Sequence, residues 1–369
     1  MRLLEYQAMK FFGEYSIPAP GQVLVEKEED LEKVSLPFPV VLKAQVAVGG
    51  RGKAGGVQLA SNEEELREKA RQMFQMQIKG IPVRKILVVE AQKVEKEFYL
   101  SFLLDRKHML LFLASPSGGV DIEEVAARNP ELIYQRKIDT WRGFSPFEGK
   151  IAAKFLGLSG ELISQFSRIA FNLFRLLREK DMQLAEINPL ALTPQGLVAL
   201  DGKLIFDDNA YFRHPEMPPD ESLTELEKEA KEVGVAYVEM DGDVAVIGCG
   251  AGLVLASLDL VNHLGARPAN FLDLGGGASS EMVKRGMEIV LRNPRVKSIF
   301  MNIFAGITRC DEIARGIVDF APKIPISVRM TGTNEEEGIR ILKEAGYEAF
   351  SSMEEAAEQA VLLRGKGGN

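Results

Sequence analysis

The sequence predicts an α/β protein in two parts, an α+β domain followed by a doubly wound parallel α/β domain, and three observations carry this. Its 369 residues exceed what one hydrophobic core usually organises, so more than one domain is expected. Over the first 220 or so residues, strand-like and helical runs come in mixed order with turn signals between neighbouring strands. From Asp241 onward strand and helix alternate strictly, as in repeated βα units whose parallel sheet gathers ligands at its strand carboxyl ends.

The elements follow in order. Leu3, Leu4, Tyr6, Met9, Phe11 and Phe12 open the chain as an amphipathic run. Val40, Val41 and Leu42 read as a buried strand that delivers Lys43. Residues 62–79 predict a helix, with acidic side chains in its first turn where the macrodipole favours them. Strands are expected at 85–91, 97–104 and 109–114, the last two joined by a hairpin at 105–108. Leu162, Phe166, Ile169, Leu173 and Leu176 stand at helical spacing in 159–179. A further hairpin turns at Pro194-Gln195-Gly196. Residues 213–234 bring three prolines and then a charged helical run, which places the domain boundary there. The first domain is taken as 1–225, with about 20–100 as its smaller lobe, and the second as 236–369. In the second, strands begin near Asp241, Asn270, Ser298 and Ile324, with helices at 253–264, 280–292, 311–320 and 335–345 and a short Tyr347–Phe350 at the end.

Composition excludes several function classes. A net charge of −8 argues against a general nucleic-acid binder, although a local basic loop remains compatible with a nucleotide. No run approaches the 18 or so apolar residues of a membrane span. The opening residues carry no charged region followed by an apolar one, so no leader is expected. Cys249 and Cys310 have no metal-like spacing and read as free thiols. A cytoplasmic location is the expectation from these negatives.

Lys43 to Val57 reads KAQVAVGGRGKAGGV, with glycines at 49, 50, 52, 55 and 56 and cations at 43, 51 and 53. Glycine backbone lets amide groups approach a polyphosphate closely, and the cations neutralise it. The alternative is a solvated hairpin turn; the string is not a P-loop. Glu186, Asn188 and Asp201 lie on the two arms of the later hairpin, with Asn188 and Asp201 close to opposite. Two such oxygens, completed by phosphate and water, suit Mg²⁺, whereas the alternative is a solvated strand face. Lys203, Asp207, Asp208 and Asn209 extend the same polar edge. In the second domain Gly248, Gly250 and Gly252 follow a strand, and Asp273 lies 25 positions beyond Gly248. This resembles a dinucleotide fingerprint only loosely, since the third glycine is out of place. The glycines at 248–252, 275–277 and 306 fit close-approach backbone at helix N-termini, which attracts anions; tight βα turns are the alternative for each loop.

The opening LLEYQAMKFFGEYSIPAP, the lysine with GGRGKAGG, AEINPLAL, LDGKLIFDDNAYFR, PANFLDLGGGAS, NIFAGITRCDEIARGI and GTNEEEG together resemble the β-subunit family of succinyl-CoA synthetases (succinate–CoA ligases). Seven ordered motifs span essentially the whole chain. The resemblance implies an ATP-grasp domain followed by a flavodoxin-like CoA-ligase domain. It implies nucleotide contacts (ATP/ADP or GTP/GDP) at Lys43, Gly50, Arg51, Gly52, Val89, Gln92 and Glu97. It implies Mg²⁺ on Asn188 and Asp201, with Glu186 as the candidate catalytic residue that orients a visiting phosphohistidine. Cys249, Gly250, Gly306, Ile307, Thr308 and Arg329 are implied to surround a dicarboxylic acid.

The family passes phosphate through a phosphohistidine. His108, His214 and His263 are the only histidines, none in a glycine-rich context, and each reads as a surface residue. The resemblance therefore implies a partner α subunit that carries this histidine and the CoA site, in a heterodimer or heterotetramer. Single-chain relatives such as ATP-citrate lyase carry it themselves and fit less well. Three departures stand out: Val89 where relatives usually have glutamate, Cys249 for asparagine, and Thr331 for the glutamate of R-L-E-G. The last two remove an amide and a carboxylate where the acid is held, which leaves malate or citrate as alternative acids. A non-catalytic relative is the remaining alternative, against which the retained Lys43, Asn188 and Asp201 argue.

Overall fold

The computed structural model describes residues 1–48, 51–105, 107 and 109–365, without the side chain of Lys53. The chain divides into two compact units, Met1–Ser222 and Leu223–Asn369.

The smaller sheet of the first unit is antiparallel, in the order Gln22–Val25, Ile86–Glu90, Val40–Ala44, Val57–Ala60. Strand alternation decides what Val40–Ala44 presents to each side. Val40, Leu42 and Ala44 are buried in the core shared with Leu66, Ala70 and Met73 of the helix Glu63–Phe74. Val41 and Lys43 therefore stand on the opposite face. That helix is N-capped by Asn62, whose side chain accepts from the Glu65 amide, and it stops five residues before the position its sequence predicts. Lys79 and Gly80 both take positive φ, 51° and 81°, and join a two-residue ribbon, Gln77–Ile78 with Ile81–Pro82. A left-handed pair in a two-residue turn suits a hairpin and not a helix.

The larger sheet runs Gly196–Ala199, Met182–Thr193, Lys96–Leu104, Leu110–Ser115, Tyr134–Lys137, and Gly202–Phe206 pairs with the other half of Met182–Thr193. Phe166, Ile169, Leu173 and Leu176 of the helix Glu161–Glu179 are buried in the same core as Phe98, Leu100 and Phe102, as their spacing predicts. The opening segment adds itself to this sheet: the Leu3 amide donates to Leu204 O at 3.0 Å, and the helix Glu5–Glu14 lays Phe12 where a side chain on Gly202 would stand. The helices Ile122–Arg128 and Pro146–Phe155 and the strand Tyr134–Lys137 lie in a stretch for which the sequence reading assigned no element. His214 is not a surface residue. It is buried, with Nε2 2.6 Å from Asp181 Oδ2 and Nδ1 3.2 Å from Glu216 Oε1. His108 lies outside the described residues.

The second unit has one six-stranded sheet, in the order Ala236–Glu239, Pro268–Asp273, Val244–Gly248, Ser298–Ala305, Ile326–Gly332, Ala349–Phe350. All neighbours are parallel except the edge strand Ala236–Glu239. Counted along the chain, the five parallel strands follow the 2-1-3-4-5 order of a flavodoxin-like sheet, whose switch point lies at the first strand. Ala251–His263 and Met353–Leu363 cover one face. Glu225–Val233, Ser280–Leu291, Cys310–Phe320 and Glu335–Glu344 share the core of the other. The sequence reading missed the antiparallel edge strand and the last helix. That helix buries only the small side chains Ala356, Ala357 and Ala360, which give little hydrophobic periodicity. Among the described residues no helix is long and apolar enough to cross a membrane.

Candidate active site

A cleft of about 740 Å³ in the first unit collects nearly every residue expected to meet the nucleotide. Lys43, Arg51, Gly52, Val89, Gln92, Glu97, Glu186, Asn188 and Asp201 all line it, with Lys203; Gly50 lies outside the described residues. The smaller sheet supplies Val41, Lys43 and Val89 on its uncovered face, where Val41 is paired with Val89. The larger sheet supplies Glu97, Glu186 and Asn188.

Asn188 is placed by an interruption in its strand. Pairing with Lys96–Leu104 shifts register between Ile187 and Leu190, where Pro189 has no amide to give the ladder. At this break the Asn188 amide donates to Asp201 O at 3.2 Å, so the two residues face each other across the hairpin. The Asn188 side chain is clamped by a loop that sequence reasoning missed. The Gly119 amide donates to Oδ1 at 2.7 Å, and Nδ2 donates to Val120 O at 3.0 Å. The carbonyl oxygen keeps a second lone pair for a cation. Glu186 accepts from the Tyr99 hydroxyl at 3.0 Å; burial and the Glu186 charge push that phenol far above its ordinary range.

The cations are tied together by a residue with no expected role, Glu5. Lys43 Nζ donates to Glu5 Oε1 at 2.8 Å and to Leu200 O at 2.6 Å. Arg51 Nη1 lies 2.8 Å from Glu5 Oε2 and donates to Ala44 O at 3.0 Å, while Nη2 reaches Asp201 Oδ2 at 3.1 Å. Burial, joined by the charge of Glu5, pushes the Asp201 carboxyl up to about 6, against the pull of Arg51 and Lys43. Arg2 also enters the cleft, where burial and the neighbouring Arg51 lower its affinity for its proton. Arg2 and Glu5 carried no sequence signal beyond a polar position in an amphipathic run, because only the docking of that segment turns them inward.

The oxygen pair of Asn188 and Asp201 fits Mg²⁺ in kind, a hard cation that takes carboxylate and amide oxygens and leaves further positions to phosphate and water. Among the described residues no group of three or more His, Cys, Asp or Glu forms a self-sufficient metal cage.

In the second unit the three loops at the strand carboxyl ends are stitched to one another. Asp273 Oδ1 accepts from the Gly250 amide at 2.6 Å and the Gly275 amide at 2.8 Å. The Gly277 amide donates to the buried Thr308 hydroxyl at 2.9 Å. The Gly250 amide is thus already engaged, and Asp273 serves the loops where a dinucleotide fingerprint would use its acid on a ribose. Ile307 is 88% exposed and Gly306 is exposed beside it. Burial and the nearby Asp273 push the Cys249 thiol up to about 12, so it stays neutral. Arg329 donates to Ser351 O at 3.2 Å and Asn302 Oδ1 at 3.3 Å, and its guanidinium stacks 5.3 Å from the Phe304 ring. These hydrogen bonds tie it to the neighbouring strand Ser298–Ala305 and to Ser351 just beyond the edge strand. The negative charge absent at Thr331 returns from the next helix: Glu335 Oε2 accepts from Thr331 Oγ1 at 2.8 Å and from the Gly332 amide at 2.9 Å.

The ATP-grasp domain family matches residues 2–192 and the CoA-ligase family residues 247–363. A succinate–CoA ligase [ADP-forming] subunit β from Ignicoccus hospitalis is 50% identical, over 98% of this chain and 99% of its own. One from Methanocaldococcus jannaschii is 47% identical over 98% and 99%. A succinate–CoA ligase [GDP-forming] subunit β from Thermus thermophilus is 44% identical over 99% of both chains. The solved ATP citrate lyase from Methanothrix soehngenii, in complex with citrate and coenzyme A, shares the fold at a TM-score of 0.78 and 20% identity, over 98% of this chain and 99% of its own. With two domain families matched in order and full-length relatives near half identity, the chain belongs to the succinate–CoA ligase β-subunit family.

Proposed function

We propose that this chain is the nucleotide- and acid-binding subunit of a succinate–CoA ligase, catalysing succinyl-CoA + phosphate + NDP ⇌ succinate + CoA + NTP together with an α subunit. The observation that carries this reading is the convergence of Lys43, Arg51, Glu186, Asn188 and Asp201 on one cleft. In this reading Lys43 and Arg51 neutralise the phosphate oxygens as the phosphoryl group transfers. Asn188 and Asp201 hold Mg²⁺, which supplies further charge neutralisation on the polyphosphate. Glu186, held by Tyr99, orients the imidazole of a phosphohistidine brought by the α subunit. Succinate is the acid favoured by the relatives' names; malate or citrate is the second reading, which the exchange at Cys249 favours, while Glu335 returns the charge absent at Thr331.

The test is titration of the purified chain with Mg–ADP, followed by turnover assays with and without an α chain. Binding without turnover is expected from this chain alone, with activity restored by its partner. Ligase turnover by the pure chain would overturn the half-enzyme reading, and failure to bind any nucleotide would overturn the assignment of the cleft.

A further inference from the structure

Glu5 is the most deeply buried charge in the cleft. Its side chain is 2% exposed, and each of its oxygens holds a different cation, Lys43 on one and Arg51 on the other. Burial opposes ionisation of this carboxyl, yet the two cations outweigh it and hold the group below its ordinary range. An ionised side chain so enclosed is stable only with such partners, and removing one leaves an uncompensated charge. The four groups form an alternating row, Lys43, Glu5, Arg51, Asp201. Arg51 sits between two carboxylates of unequal standing. Glu5 is enclosed and already shared with Lys43, while Asp201 is half-buried at the hairpin edge.

A guanidinium that spans two carboxylates with separate nitrogens can release one and keep the other. Were Glu5 neutral, Arg51 would be drawn wholly to Asp201, where the planar fork matches both carboxylate oxygens at once. That arrangement would occupy the oxygens a cation needs. It would also leave Lys43 and Arg51 to repel each other with no anion between them.

We propose that Glu5 is a positioning residue that couples metal to nucleotide. It anchors Arg51 through Nη1, so that Nη2 exchanges Asp201 for a phosphate oxygen and frees Asp201 for Mg²⁺ as the nucleotide enters. The inference rests on the cleft being the Mg–nucleotide site.

The experiment is calorimetric titration of the full chain with ADP, in the presence and absence of Mg²⁺. The quantity read is the factor by which Mg²⁺ tightens ADP. Glu5→Gln is expected to cut that factor about fivefold or more, the range of a site-to-site coupling, and to change Mg-free ADP affinity less. Arg51→Lys is expected to cut it similarly, because an ammonium has no rigid fork to bridge two carboxylates. A merely structural Glu5 would lower stability and leave the factor as in the wild type. Where Glu5→Gln does not fold, Arg51→Lys decides alone. A wild-type chain that binds no ADP under either condition overturns the cleft reading and this inference with it. A wild-type chain that binds with a Mg²⁺ factor both folded variants retain overturns this inference only.

Discussion

The amide of Asn188 donates to the carbonyl of Asp201 at 3.2 Å, and this backbone bond brings an amide side chain and a carboxylate to the same end of one cleft. Neither residue owes its position to core packing. Asn188 stands where Pro189 interrupts the ladder, and Asp201 stands between the two short strands that pair with the two halves of Met182–Thr193.

Asp201→Ala is accordingly expected to weaken Mg–ADP binding by at least about tenfold, the scale on which metal sites lose affinity when a supporting group is removed. Stability should hold, because the fold already disfavours this carboxylate, whose pKa is raised to about 6, and Arg51 keeps its bonds to Glu5 and Ala44. Calorimetry in excess magnesium, beside thermal denaturation, checks both halves. Unchanged affinity would remove Asn188 and Asp201 from the metal assignment.

A second expectation concerns the acid. Thr331→Glu by itself would set a carboxylate against Glu335, which already accepts from Thr331 Oγ1, and like charges so close oppose each other. The exchange becomes informative when Glu335→Ala accompanies it, together with Cys249→Asn. This triple variant is expected to shift kcat/KM toward succinate over malate or citrate by roughly tenfold to a hundredfold, the effect of one hydrogen-bonding group gained or left unpaired. The measurement needs the α subunit present. Ratios equal to wild type would mean that these positions do not read the acid.

Acid should act on the second unit through Asp311. Hydrogen bonds from Arg309 and Asn334 and the charge of Arg315 hold this carboxyl well below the usual carboxylate range, against the cost of burial. A depressed folded pKa contributes stability that is present above the unfolded value near 4 and is lost as pH falls from there toward the folded value. Asp311→Asn should therefore lower stability at pH 7 by about 2 kcal/mol and flatten the decline below pH 4. Denaturant titrations of both proteins between pH 2 and 7 test this; parallel curves would show that Asp311 does not set the acid limit.

Much of the architecture was legible because it rests on local signals. The spacing of Phe166, Ile169, Leu173 and Leu176 marked one helix face, and the strict βα alternation after Asp241 marked a parallel sheet, since period and order are written in the chain itself. The resemblance of seven motifs extended this to the residues of the cleft. Legibility failed where small side chains or paired left-handed residues carried the structure, as in the helix over Ala356, Ala357 and Ala360 and the turn at Lys79 and Gly80.

The sequence by itself determined which residues carry charge and oxygen, and the strand alternation that sets Lys43 opposite Val40, Leu42 and Ala44. Only the tertiary structure decided who neutralises whom. Glu5 lies 38 positions from Lys43, and Asp201 lies 150 positions from Arg51. Likewise Glu335 returns a carboxylate to Thr331 from a separate helix. No local period encodes such pairs. Charges are matched only after packing has excluded the water that would otherwise screen them, and the burial that makes Glu5 costly as a lone anion is the same burial that binds it to two cations.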